Sequence, residues 1–298
     1  MTAAQKRKSD DARFEVSPLS SLFGGEVTGF DLKSLPQGID PSAFLRVVST
    51  HGFLVFRDQE LTPSDFASIS RFCGELEYHV LDQYGMQIQP EIYVISNVLE
   101  NGKPIGNPRD GFGWHTDQSY VARPTAYTLL YGVETPPVGA ETLFCDTCRA
   151  YDSLDRTRQH KLRQLRGVHS YVYMRTGNKA YIENNAATQP LSAAQVSRVP
   201  DVTHPMVRTN PHTGRLSLYL GGDCLAGIEG MSDQTARPLI DELFAITLRP
   251  DVQVAHKWRP RDVVIWDNRG LMHTATDYDR ERYRRLIWRT SVRGEVPY

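Results

Sequence analysis

Cysteine is scarce: Cys73, Cys145, Cys148 and Cys224 are the four in a chain of 298 residues. They are too few to staple a chain of this length, so a disulfide scaffold is excluded and a cytoplasmic setting is expected. Cys145-Asp146-Thr147-Cys148 forms one C-x-x-C. A zinc knuckle needs a second pair, which is absent, and both a redox dithiol and two ordinary thiols remain readings of this one. An excess of charge of either sign is also missing, with 34 Lys and Arg against 35 Asp and Glu. No basic field is therefore present to recruit nucleic acid. No apolar run approaches the roughly 18 residues of a membrane span, so no membrane association is expected. The opening Met1-Thr2-Ala3-Ala4-Gln5-Lys6-Arg7-Lys8 is charged and lacks an apolar signal core, and residues 1–13 read as a disordered tail. Neither a nucleophile elbow nor a dinucleotide-binding glycine fingerprint occurs. What remains is a protein that handles a small molecule, as a monomer or a homo-oligomer.

Helical and strand patterns alternate along the rest of the chain. Glu15-Val16 and Val27-Thr28-Gly29-Phe30 read as short strands, and Phe53 to Phe56 as a buried one. Pro41 to Val48 reads as a helix. Another should start at Thr62, with the hydroxyl as N-cap, Pro63 in the first helical position and Asp65 in the first turn. Strand patterns return at Thr125 to Val133, Val202 to Arg208, Leu216 to Leu220, Val252 to Trp258, Val263 to Trp266 and Leu286 to Val292. Pro238 to Leu248 is an amphipathic helix. No internal repeat divides the chain, so residues 14–298 are expected to form a single domain, since a large β-fold absorbs such a length. The class is α+β, mainly β, and a double-stranded β-helix (jelly roll) with flanking helices suits the pattern.

One split trio carries chemistry. His115 and Asp117 stand two apart in Gly113-Trp114-His115-Thr116-Asp117, and His273 lies far downstream in Met272-His273-Thr274-Ala275. On a strand, residues two apart share a face, so His115 and Asp117 are expected to grip one ion. With His273 they make the two-His, one-carboxylate set of non-haem Fe(II) oxygenases, whose remaining positions stay open. A bare His-x-Asp is common, so three further features matter. Arg285 and Arg289 share one face of the strand after His273, with Leu286 and Trp288 on the other. An inward Arg is expensive without an anion, and its planar fork suits a carboxylate, whereas on an edge strand it would simply meet solvent. Thr142 opens a strand after Gly139-Ala140 and is either a partner for the same anion or a plain surface residue. Asp262 to Arg269 is a buried-strand run that ends in a polar turn just before His273.

With Phe53 to Gln59, Gly74-Glu75-Leu76, Arg123-Pro124, Val207-Arg208-Thr209 and Trp266-Asp267-Asn268-Arg269, the chain resembles the taurine dioxygenase family. That family includes 2,4-dichlorophenoxyacetate dioxygenase, and the match runs from about Val16 to Val292. The resemblance implies His115, Asp117 and His273 as iron ligands, with Arg285 and Thr142 on the distal carboxylate of 2-oxoglutarate. It implies Arg289 near the iron, on co-substrate or on an acidic substrate, and His79 as a substrate contact. Fe(II), 2-oxoglutarate and O₂ are the implied cofactors, and succinate, CO₂ and a hydroxylated substrate the implied products. Halogenases of this broad class lack the carboxylate ligand, so Asp117 speaks against halogenation; hydroxylation is the default, with desaturation, ring expansion or C–N chemistry open to the same iron.

The stretch Val168 to Arg175 is rich in aromatics. Tyr120, Tyr171, Tyr173 and Tyr181 read either as an apolar wall with hydroxyl handles or as ordinary tyrosines. The expected substrate is a mid-sized, partly apolar organic acid or natural-product intermediate, with a small sulfonate or aryloxy acid as the alternative. A cupin-like metal enzyme without 2-oxoglutarate is a second reading, but it leaves Arg285 and Thr142 without a partner. A binding module would need neither His115 nor Asp117.

Overall fold

Phe53-Leu54-Val55-Phe56 has no polar side, and in the computed structural model of the protein all four residues are buried. Such a strand needs cover on both faces. The structure describes residues 7–8, 14–184 and 190–298. Most of the expected tail, 1–6 and 9–13, lies outside the described residues, whereas Arg7–Lys8 pairs with Glu15 and Val16. Among the described residues thirteen strands build the two sheets that hold the site, and ten of them matter here. They are β1 (Glu15–Pro18), β2 (Gly25–Val27), β3 (Phe53–Phe56), β4 (Gln89–Ser96), β5 (Thr125–Glu134), β6 (Thr142–Asp146), β7 (Gln253–His256), β8 (Val263–Asp267), β9 (Leu271–Ala275) and β10 (Leu286–Arg293). The main sheet runs β1-β2-β3-β8-β5-β10-β4, antiparallel except where β2 meets β3. The second sheet runs β7-β6-β9.

Register gives the main sheet two distinct faces. Leu129 pairs with Ile265, and Ile265 with Leu54. Together with Phe56 and Tyr131 these side chains pack against Phe44 and Val48 of the helix Pro41–His51 and Phe66 of the helix Pro63–Cys73. A fully buried side chain of this size stabilises by about 1.5–3 kcal/mol relative to exposure. One residue along, the other face carries Phe53, Val55, Val264, Trp266, Leu130 and Ile287. It packs on the second sheet, where Phe144 stacks on Phe53 at 4.4 Å between ring centres. The site lies on this second face, and a one-residue slip would move it to the helical side.

The helix expected at Thr62 starts there. The Thr62 hydroxyl accepts from the Asp65 amide and the Asp65 carboxylate accepts from the Thr62 amide, a reciprocal cap. Several expected boundaries move. The strand at Val27 ends there because Gly29 takes a positive φ of 71°. The first helix continues past Val48 to His51 and stops at Gly52. Val202 to Arg208 is not one strand but two, Val202–Pro205 and Val207–Thr209, in different sheets, and Pro205 has no amide to continue the ladder. The strands expected at Leu216 to Leu220 and Val252 to Trp258 shorten to Leu216–Leu218 and Gln253–His256. The helix expected to open at Pro238 opens instead at Asp233 after Ser232, with Pro238 inside it. There the Ser232 carbonyl accepts the first amide bonds, from Thr235 and Ala236. Between the two cysteines of the C-x-x-C, Asp146 caps the helix Thr147–Asp152 by accepting from the Cys148 and Arg149 amides. Both thiols are free and buried, and burial raises their pKa.

A buried histidine pair gives the fold a pH dependence. His169 lies 5.1 Å from His204 and 5.4 Å from Tyr219 between ring centres, with no hydrogen-bond partner for either ring nitrogen. Burial, then His204 and Arg208, push His169 down to about 3. Burial first, with Arg208 also opposing the charged form, pushes His204 down to about 4. Both rings are neutral in the fold, so the unfolded chain takes up the extra protons. The stability they contribute is full above about pH 6.5 and is lost as pH falls towards 4 and 3. At pH 4.5 the loss is on the order of 2–3 kcal/mol per ring. Melting curves at pH 7 and 4.5 should show a smaller drop for His169→Leu than for the unaltered protein, and equal drops would refute the assignment.

Candidate metal centre

The segment carrying His115 and Asp117 is not the expected strand. Gly111 and Gly113 take φ of 90° and 89°, Gln118 takes 49°, and a turn begins at Asp117. His115 alone is bridged: its amide and carbonyl both pair with His273 on β9, at 3.0 and 2.9 Å, and its other side meets Gly222. A Cβ on Gly222 would stand 2.1 Å from the Trp114 carbonyl oxygen and 2.5 Å from His115 Cα, so only glycine permits this approach. The long-range bridge, rather than local alternation, brings the residues together.

His115, Asp117 and His273 each offer a ligand atom, all within 4.8 Å of one another. His115 Nε2 lies 3.6 Å from Asp117 Oδ1, and His273 Nε2 lies 3.7 Å from Asp117 Oδ2. His115 Nδ1 is 2.7 Å from the Gly113 carbonyl, which can only accept, so Nδ1 carries the proton and Nε2 presents its lone pair. Burial, with His115 and Arg289, pushes His273 down to about 3, leaving it neutral as a ligand must be. Burial works against ionised Asp117, yet His273, His115 and Arg289 together hold it well below the usual carboxylate range. Burial opposes charge on His115, but Asp117 and the Gly113 carbonyl raise its pKa, so a metal bound at Nε2 displaces a proton from it. Two imidazole nitrogens and a buried carboxylate fit a divalent iron site with open positions.

Beyond the triad, Arg285, just before β10, and Arg289, in its middle, are both buried and line the same cavity. Arg284 is exposed and pairs with Glu134 at 2.7 Å. Among the described residues the Arg285 guanidinium has no hydrogen-bond or ion-pair partner, and burial lowers its pKa. It shares a small cavity with Thr142, His273, Trp266 and Arg289. Trp258 Nε1 donates to the Thr142 oxygen at 3.0 Å, which leaves the Thr142 proton free to donate elsewhere. Arg289 differs: it donates to Asp110 at 2.8 Å and lies 3.6 Å from Asp117 Oδ1. Sequence reading missed Asp110, because a lone Asp in a glycine-rich loop shows no periodicity.

A neighbouring cavity opens beside His115 and Asp117 and is lined by His79, Tyr120, Tyr171, Met174, Tyr181 and Asp223, among others. His79 Nδ1 accepts from the Leu81 amide, so Nε2 holds the proton and is the donor. Burial, then Arg289, keeps His79 neutral. Among the described residues the buried Tyr120 hydroxyl has no partner, and its ring lies tilted against Tyr171, 4.4 Å between centres. Tyr173 is not among the lining residues: its hydroxyl accepts from Arg237 at 3.1 Å. On the helix Tyr171–Thr176 the i, i+3 pair Tyr171 and Met174 share the cavity side, which turns Tyr173 away. Asp223, also missed in the sequence, has only the Asn178 amide as a side-chain partner among the described residues, and burial raises its pKa.

A family model, Taurine catabolism dioxygenase TauD, TfdA family, matches residues 15–291. The chain belongs to this family. Among relatives of this TauD, TfdA member is the alpha-ketoglutarate-dependent 2,4-dichlorophenoxyacetate dioxygenase of Cupriavidus pinatubonensis. It is 31% identical over 293 residues, spanning 94% of this chain and 98% of that protein. Pentalenolactone F synthase of Streptomyces arenae is 32% identical over 241 residues, spanning 78% and 79%. The crystal structure of AAD-2 in complex with Mn(II) and N-oxalylglycine superposes with a TM-score of 0.77 at 26% identity, covering 96% and 99% of the two chains. The TauD, TfdA member described here is a 2-oxoglutarate-dependent non-haem iron dioxygenase using Fe(II), 2-oxoglutarate and O₂. No helix among its described residues is long and apolar enough to cross a membrane.

Proposed function

We propose that the protein oxidises, by hydroxylation, a mid-sized, partly apolar organic acid or natural-product intermediate, with release of succinate and CO₂. The observation that carries this reading is Arg285: a buried guanidinium that bonds no carboxylate among the described residues, beside the triad and the free Thr142 proton. A cupin-like enzyme without 2-oxoglutarate would leave that cation unsatisfied. In this reading residues 14–298 form one domain acting in the cytoplasm, and its two facing sheets are the walls of a double-stranded β-helix. His115, Asp117 and His273 hold the iron, which with 2-oxoglutarate and O₂ supplies the oxidising power. Arg285 and Thr142 fix the distal carboxylate of 2-oxoglutarate from two sides, as a fork and a single donor.

The substrate occupies the adjoining cavity. Tyr120, Tyr171, Met174 and Tyr181 take its apolar body, and His79 Nε2 and Arg289 supply donors for its acidic group. Asp223 accepts from a hydroxyl or amine on the same molecule. In relatives whose names are given above, one acts on an aryloxy acid and another makes a natural product. Screening organic acids for stimulated succinate release tests the reading. A methyl ester of an active acid should be poor, because it loses the charge-assisted bond. Arg289→Leu should weaken that acid by about ten- to a hundredfold and 2-oxoglutarate by less. Equal losses for the two ligands, titrated separately without O₂, would sink the acidic-substrate reading.

A further inference from the structure

The Trp266-Asp267-Asn268-Arg269 motif sits next to His273 in sequence, but its hydrogen bonds reach a different member of the triad. Asn268 Oδ1 accepts from the Asp117 backbone amide at 3.2 Å and from Trp266 Nε1 at 3.0 Å. Both partners are donors only, so this end of the side chain is the oxygen and the other is the amide nitrogen. Asn268 Nδ2 donates to Thr128 Oγ1 at 2.8 Å. With its oxygen so occupied, Thr128 turns its own proton to Asp117 Oδ2, 2.6 Å away. The bonds close a ring with one direction throughout, from the Asp117 amide through Asn268 and Thr128 back to the Asp117 carboxylate. Asp117, Asn268, Thr128 and Trp266 are all at most 3% exposed, so no solvent competes.

We infer that Asn268 is a positioning residue for Asp117, acting through Thr128 to hold Oδ2 and so fix the rotation of the carboxylate between the two histidines. The inference rests on Asp117 being a ligand. Register supplies the placement: Thr128 pairs with Trp266 across β5 and β8, so the hydroxyl and the motif meet on the site face of the sheet. Outer partners that orient a ligating carboxylate typically carry 10- to 100-fold in metal affinity. Asn268 also bonds the backbone of the turn at Asp117, so it sets where the residue starts as well as where its carboxylate ends.

The test is Mn(II) affinity of the full chain without 2-oxoglutarate, read from the spin-resonance signal of free Mn(II), beside the melting temperature. Thr128→Val and Asn268→Leu should each weaken Mn(II) by roughly 10- to 100-fold. The double variant should be no weaker than the worse single, because both remove one chain of bonds. Thr128→Ser, which keeps the hydroxyl, should stay within about threefold of the unaltered protein, a rescue that a general packing defect would not show. If Asn268→Leu does not fold, the near-isosteric Thr128→Val with its serine counterpart decides. Asp117→Ala is the control. Loss of Mn(II) in Asp117→Ala with full affinity in Thr128→Val overturns the positioning role. Full affinity in Asp117→Ala overturns the ligand assignment itself.

Discussion

Alanine at His115, Asp117 or His273 should give a folded protein that neither retains Fe(II) nor forms succinate. Each ligand atom lies within 4.8 Å of the other two, so removing one leaves two donors and no closed face. Asp117→Ala is expected to be the most severe, since it deletes the only anionic ligand of the three. It also strips Thr128 of its acceptor and removes one of the two carboxylates near Arg289. A buried donor and a less compensated cation then remain, and each is costly. Metal content after anaerobic loading, with circular dichroism to confirm folding, decides the matter. Near-normal iron and turnover in any single variant would take that residue out of the site.

Arg285→Ala should raise the apparent 2-oxoglutarate constant by roughly 30- to several-thousand-fold, from the about 2–5 kcal/mol of a truncated buried charge pair. Thr142→Ala should cost only the ~1 kcal/mol of a typical hydrogen bond, or about fivefold. The contrast follows from their partners. Among the described residues the Arg285 guanidinium bonds no carboxylate, whereas Thr142 keeps Trp258 Nε1 as a second bond and is needed only for its proton. Arg284→Ala should leave the constant unchanged, because that side chain is exposed against Glu134. A large effect at Arg284 with none at Arg285 would refute the assignment, as would unchanged co-substrate binding in Arg285→Ala measured without turnover.

The parts of the site legible in the sequence were those where chemistry restricts residue type. Few side chains serve a metal facial triad, and few suit a buried carboxylate, so His115, Asp117, His273 and Arg285 stood out by kind and spacing. Buried strands such as Phe53 to Phe56 and capped helix starts such as Thr62 were legible for a similar reason, since each follows from a local rule. The conformation at His115 was not, because it depends on His273 and Gly222, both more than a hundred residues away. Asp110 and Asp223 were hidden because a single acid in a loop looks the same in the sequence whether it faces water or a cavity. Tyr173 was misplaced because the stretch was picked out by its aromatics alone, and the helix that starts at Tyr171 sets which of them faces the cavity.

Asp110, 2.8 Å from Arg289, partly balances the charge on that side of the cavity from within. It bonds Nη1 alone, and Arg289 Nε has no partner among the described residues. In the reading proposed above, a substrate acid therefore shares the guanidinium with Asp110 and gains less from it than a lone cation would give. On that proposal, selection rests on the rest of the molecule as well, on its fit beside Tyr120 and Tyr171 and its bonds to His79 and Asp223. A site so arranged would discriminate among acids by their bodies more than by their charge.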